Sequence, residues 1–309
     1  MGEARVSVVV PSRGGAARLP VLFEALTKQD FADPWEVVVV LDGVVDESAQ
    51  VIDRYAEQLP IRCIELDYNM GRSAALNAGF AEATGDILVR CDDDLVPSIS
   101  YLSLHATAHR AGPVGAVGLY RNVYPDNSYA RAYGRDWDVR FRQQAYSTPS
   151  DQRWRYWAGN VSVSRDTWAS VGPYDTSFRS YGWEDVDWGY RLHRLGIPVV
   201  LEPELETVHR IAATTTVTRS QRAFYAGAAK RHFEKKHDVS PSASGSGAWN
   251  SIVRVAASRL NEPGVSKVAR VVDSLTNRLP PGAARKLIAL SVESAATAGY
   301  AKASNEGLI

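Results

Sequence analysis

Two rhythms of apolar residues alternate along the first half of the chain. Residues 5–10 place Val6, Val8, Val9 and Val10 ahead of Pro11, a continuous β-branched run that predicts a buried strand. Residues 16–29 carry leucines at 19, 22 and 26, the stripe of a helix. The alternation repeats: 36–41 and 61–66 read as strands, 47–59 and 73–83 as helices, and 86–91 as a fourth strand. Such units predict an α/β fold, a mostly parallel central sheet flanked by helices. Ligands bind to such sheets beyond the carboxyl ends of the strands. Ser12-Arg13, Asp42-Gly43 and Asp92-Asp93-Asp94 fall at three of those ends.

Beyond residue 111 the pattern loosens. Residues 115–120, 160–164 and 198–201 read as strands, 185–195 and 220–236 as helices, and the polar, aromatic stretch 122–155 is expected to include a long loop. Residues 240–247 read SPSASGSG, which is linker composition. Three helical patterns follow, near 252–260, 265–279 and 283–301, separated by Pro263 and Pro280-Pro281. The expected organisation is a catalytic-type α/β domain over 1–240, then a linker and C-terminal helical extension over 241–309.

Composition narrows the classes. Lysine plus arginine and aspartate plus glutamate both number 35, so no basic excess suggests a protein that coats nucleic acid. No apolar run approaches the roughly 20 residues that span a bilayer, and no Walker or GxGxxG phosphate loop is present. The first strand follows the start of the chain with no signal-peptide pattern. Cys63 and Cys91 both sit in strand-like stretches and read as buried free thiols. The expectation is a cytoplasmic protein, in contact at most with the inner face of a membrane.

Three constellations could carry chemistry. Asp92-Asp93-Asp94 fits either a solvated acidic turn or a site where a hard divalent ion neutralises mutual repulsion. Glu184 and Asp185 stand at a helix start, where the dipole favours acids and where one carboxylate could serve as a general base. His209 follows a short strand. Six of the eight tryptophans lie between 137 and 188. Trp168 and Trp188 read as core.

In order and spacing these segments resemble the inverting family 2 glycosyltransferases. The matching residues are 8–13 (VVVPSR), 39–43 (VVLDG), 69–79 (NMGRSAALNAG), 85–94 (GDILVRCDDD), 158–165 (AGNVSVSR) and 183–185 (WED). The likeness covers roughly residues 5–235. It implies a GT-A fold and a nucleotide-diphospho sugar, a UDP-sugar being expected, as donor. It implies that Pro11, Ser12, Arg13, Asp42, Arg72, Asn77, Asp92 and Asp93 bind the nucleotide sugar. Asp94 and His209 would hold Mn²⁺ or Mg²⁺. Asp185 would be the catalytic base with Glu184 beside it, and Trp157, Asn160 and Trp183 would meet the acceptor or sugar. The sequence departs from the family pattern at Ala75-Leu76-Asn77, where many members carry Ala-Arg-Asn, and it lacks the QxxRW motif of processive synthases. A single-addition transfer to an acceptor hydroxyl is the expected reaction.

The acceptor stays open among a saccharide, a lipid-linked glycan, a natural product and a peptide. Two rivals remain: a sugar nucleotidyltransferase, for which Ser12-Arg13-Gly14-Gly15 is a faint phosphate-loop echo, and a non-catalytic carbohydrate-binding protein of the same fold. After Pro241, basic residues outnumber acids eight to four. The apolar stripe Val265, Val268, Val272 and Leu275 suits burial, a homodimer contact or an anionic membrane surface.

Overall fold

The computed structural model describes residues 5–179, 181–239 and 247–303. The β-branched runs do become strands. β1 (Val6–Ser12) is buried at every position. After α1 (Leu19–Leu26), β2 (Trp35–Asp42) pairs with it in parallel, Val8 opposite Val37. α2 (Ser48–Tyr55), β3 (Ile61–Leu66), α3 (Arg72–Glu82) and β4 (Ile87–Cys91) complete the βα series. β5 (Leu95–Val96), α4 (Tyr101–Ala108), β6 (Gly115–Val117) and β7 (Tyr120–Asn122) follow.

Residues 122–155, expected to include a long loop, are largely helical. Ala130–Gly134 form a wide turn that runs into α5 (Arg135–Ser147), and Ser150–Tyr156 a tight 3₁₀ turn. The stretch lacks a clean apolar stripe, yet its Arg, Gln and Ala favour helix, and Asp136 and Asp138 complement the helix start. Next come β8 (Asn160–Ser164), α6 (Arg165–Val171), α7 (Glu184–Arg194), β9 (Val199–Leu201) and β10 (Thr207–His209). The chain ends in α8 (Thr216–Lys236), α9 (Ala248–Ser258), α10 (Glu262–Thr276) and α11 (Pro281–Lys302).

Seven strands form one sheet in the order β3-β2-β1-β4-β8-β6-β9. All pairings are parallel except those of β8, which runs antiparallel to β4 and β6. The core gathers Val6, Val8, Val10, Leu19, Leu22, Val39 and Val89. β3 sits at the sheet edge, so Cys63 is exposed, contrary to expectation; Cys91, inside the sheet, is buried, and both thiols are free. A small second sheet, β5-β10-β7, pairs His209 with Leu95 and with Asn122.

The chain divides into two compact units. The sheet unit takes Met1–Asn122, Arg142–Thr176 and Glu184–Arg210; the helical unit takes Val123–Phe141, Ser177–Trp183 and Ile211–Ile309. The boundary expected at 240–241 lies outside the described residues, as do 240–246 of the linker-like stretch. In the helical unit α8 packs along α11, with Phe224 and Ala295 in a shared core. The crossing is close: a Cβ on Gly299 would stand 1.8 Å from the Phe224 carbonyl oxygen, so only glycine lets the backbones meet there. Among the described residues no helix is long and apolar enough to cross a membrane.

Candidate active site

The sheet unit collects its charges at the carboxyl ends of β1, β2 and β4. β4 carries Arg90, fully buried in an otherwise apolar strand. A buried guanidinium needs anionic partners. Arg90 Nε donates to Asp92 Oδ1 at 2.9 Å, and Nη1 donates to Asp185 Oδ1. Asp185 stands with Glu184 in the first turn of α7. Glu184 is 3% exposed; its Oε1 accepts from Arg72 Nη1 at 2.9 Å, and its Oε2 is buried without a hydrogen-bond partner. Arg72, Arg90, Asp92, Glu184 and Asp185 thus form one cluster.

Burial pushes the Asp185 carboxyl up to about 7, against the opposing pull of Arg90 and with help from Glu184. Burial works the same way on Asp92, but there Arg90 and Arg72 outweigh it and hold the carboxyl below its ordinary value. Two carboxylates around one guanidinium are therefore driven apart, the usual basis for separate acid–base roles. Arg90 occupies Oδ1 of Asp185, no described residue hydrogen-bonds Oδ2, and the side chain keeps 16% of its surface exposed. A proton can reach Oδ2.

Asp93 turns the other way. Its carboxylate accepts Ser12 Oγ at 2.5 Å and a forked pair of bonds from Arg18, Nε at 2.9 Å and Nη2 at 2.7 Å. Pro11 and Ser12 are buried and Arg13 is exposed, its Nη1 3.4 Å from the Asp42 carbonyl oxygen. The Asp42 carboxylate accepts the backbone N–H groups of Met70 and Gly71, which shapes the loop entering α3.

Asp94 meets His209 through the pairing of β5 with β10. His209 Nδ1 lies 2.6 Å from Asn122 Oδ1 and its Nε2 lies 3.1 Å from Asp94 Oδ2. The other oxygen, Asp94 Oδ1, is buried and has no hydrogen-bond partner among the described residues. An imidazole nitrogen beside a carboxylate with one orphaned oxygen is a donor set that fits a divalent cation, with Asn122 as the outer-shell partner of the ring. Tyr120 stacks on His209 at 4.8 Å, and its hydroxyl accepts the Gly159 N–H at 2.7 Å. A Cβ on Gly159 would stand 2.1 Å from Asp92 Oδ2. Glycine is required for that approach.

Three expected ligand contacts have other roles, and a fourth lies outside the sheet unit. The Asn77 side chain is spent on the Tyr174 backbone, Nδ2 donating to its carbonyl and Oδ1 accepting its N–H. Asn160 is fully buried, tied to Leu205, Thr207 and His105. Trp157 is 3% exposed; its ring stacks on Trp188 at 4.8 Å and its N–H goes to Tyr174, so no face is left for a sugar. Trp183 belongs to the helical unit, where its ring packs on Phe233. Arg90, Arg18, Tyr120 and Asn122 were not anticipated. Only Arg90 had a sequence signal, an arginine in an apolar strand followed by acids.

Comparisons with known proteins bear on the family and the fold. The model of the family "Glycosyl transferase family 2" matches residues 7–170, more than half of the chain. A validoxylamine A glucosyltransferase of Streptomyces hygroscopicus subsp. jinggangensis is 27% identical over 229 residues, covering 64% of this chain and 54% of that protein. The chain spans about half the length of that relative. In fold it is similar to the mannosyltransferase PcManGT from Pyrobaculum calidifontis in complex with GDP-Man and Mn²⁺, with TM-score 0.65, 18% identity and coverage of 97% and 88% of the two chains. It is also similar to S. aureus TarS 1-349 in complex with UDP, with TM-score 0.55, 14% identity and coverage of 98% and 92%. The sheet order, the acid-ended strands and the family match lead to one conclusion: this chain belongs to glycosyl transferase family 2 and carries the GT-A fold.

Proposed function

We propose that the chain is a metal-dependent inverting glycosyltransferase that moves a sugar from a nucleotide-diphospho sugar to an acceptor hydroxyl. The observation that carries this reading is Asp185, a half-buried carboxyl pushed up to about 7 with one oxygen open. The acceptor oxygen attacks the anomeric carbon, its proton passes to Asp185 Oδ2, and the bond from that carbon to the phosphate oxygen breaks, its electron pair leaving with the nucleoside diphosphate. One displacement inverts the anomeric centre with no covalent enzyme intermediate, through an oxocarbenium-like state. Arg90 keeps the base oriented. Asp94 and His209 would hold Mn²⁺ or Mg²⁺, which supplies Lewis-acid neutralisation of the leaving diphosphate. Pro11, Ser12, Arg13 and Asp42 line the nucleotide side. The relatives bearing GDP-Man or UDP support a nucleotide donor; a UDP-sugar is our first choice.

The test is transfer from a panel of UDP- and GDP-sugars with Mn²⁺. Excess chelator should abolish it, and undiminished turnover in chelator would remove the metal from the reaction. Asp185→Asn should lower kcat by about 10²- to 10⁴-fold, the contribution of a general base, and leave donor Kd nearly unchanged. Normal turnover in that variant would displace Asp185 as the base.

A further inference from the structure

The helical unit encloses a cavity of about 750 Å³, and every residue lining it belongs to that unit. Six cations border it: Arg140, Arg219, Arg222, Lys230, Arg285 and Lys286. The only carboxylate in the lining is Glu293, and its Oε2 already accepts the Trp249 indole N–H at 2.7 Å. Lys230 is paired with Glu234. Among the described residues no carboxylate forms an ion pair with the other five. Gathering like charges around one hollow costs energy, which an anionic ligand would repay.

The rest of the wall is aromatic. The Arg219 guanidinium lies 4.0 Å from the centre of the Trp137 ring, and its Nε is buried without a hydrogen-bond partner. Arg222 lies 5.2 Å from the centre of the Tyr181 ring, which is 42% exposed. Trp183 holds a left-handed backbone at φ 71°, a conformation a bulky residue keeps only when its surroundings impose it. Packing on Phe233 at 5.0 Å supplies that restraint and fixes the indole in the cavity wall. Rigid indole faces suit the C–H faces of a sugar ring, and guanidinium forks suit phosphate oxygens.

We propose that this cavity binds a phosphate-bearing saccharide, its phosphate held by Arg219 and Arg222 and its ring set against Trp183. The volume is that of a small-molecule site. The inference stands on the helical unit alone and does not depend on the donor chemistry of the sheet unit.

Calorimetric titration of the full chain without nucleotide tests it, using glucose 1-phosphate, methyl glucoside and inorganic phosphate as separate probes. Vesicles of phosphatidylcholine containing phosphatidylinositol form a fourth arm, which presents a polyol phosphate on a lipid. Glucose 1-phosphate should bind more tightly than either methyl glucoside or phosphate. Arg219→Gln with Arg222→Gln should weaken it by about tenfold or more, the scale of a lost charge-assisted hydrogen bond. Arg285→Gln with Lys286→Gln, both on the exposed side of α11, should weaken it without touching packing, so a folding defect in the first variant leaves the test intact. Binding confined to the vesicles would assign the same chemistry to a lipid-linked source. Equal binding of phosphate and glucose 1-phosphate, unchanged affinity in both variants, or no binding in any arm would overturn the proposal.

Discussion

The two units hold their charges in opposite ways. In the sheet unit the arginines of the site are tied to acids: Arg90 to Asp92 and Asp185, Arg72 to Glu184, Arg18 to Asp93. In the helical unit Arg140, Arg219, Arg222, Arg285 and Lys286 border a cavity, and among the described residues no carboxylate is paired to them. The reason is burial. A dry, unpaired ion is prohibitively costly, so charges inside a sheet must neutralise each other. Arg140, Arg285 and Lys286 are exposed, so these cations stay hydrated and can wait for an anion. A region that moves protons therefore looks charge-balanced, and a region that captures anions looks unbalanced.

The contrast is broken most directly by removing one cation from each unit. Arg90→Met strands Asp92 and Asp185 in the interior and should cost about 3–5 kcal/mol of stability in denaturant unfolding. Arg219→Gln loses a stacking contact with Trp137 and should cost only about 1 kcal/mol. Equal losses would end the distinction.

A smaller effect sharpens the sheet-unit side. If Asp185 is the base, it works only when ionised, and its carboxyl titrates at about 7. Log kcat/KM should therefore fall with a slope near one as pH drops below that value, about 1.4 kcal/mol of barrier per unit. A flat profile from pH 5 to 7 would detach Asp185 from the proton.

Stability carries a second pH signature. Burial pushes His105 down to about 3, while the unfolded imidazole titrates near ~6.5. Between those values the unfolded state binds the extra proton. Stability present above ~6.5 is lost as pH falls toward 3, at about 1.4 kcal/mol per unit from this residue. His105→Gln should flatten the acid limb by that amount, and an unaltered slope would remove His105 from it.

The smallest expected change is at Arg62, 45% exposed and 2.8 Å from Glu36. Its alanine variant should shift stability by less than about 1 kcal/mol. A larger loss would show that exposed pairs matter here as much as buried ones.

Much of the sheet unit was legible because burial on both faces demands apolar strands. β1 to β4 lie close to the runs read from valine and isoleucine spacing. α5 escaped because its helix rests on propensity and terminal charge, with no apolar stripe to mark it. Asn160 sat in a matching segment yet turned inward, since a motif does not say which side of a strand faces the core, and Trp157, one residue ahead of that segment, is buried against Trp188. The cavity residues could not have been grouped from spacing at all.

The sequence alone determined the βα alternation, the acids at strand ends and the family, because these are local patterns of hydrophobicity and charge. Tertiary structure decided the rest. His209 meets Asp94 only because β10 pairs with β5, 115 residues apart in the chain. Arg90 gains Asp185 across 95 residues. Such contacts depend on register and burial, which bring distant residues within hydrogen-bond reach and which no local pattern encodes.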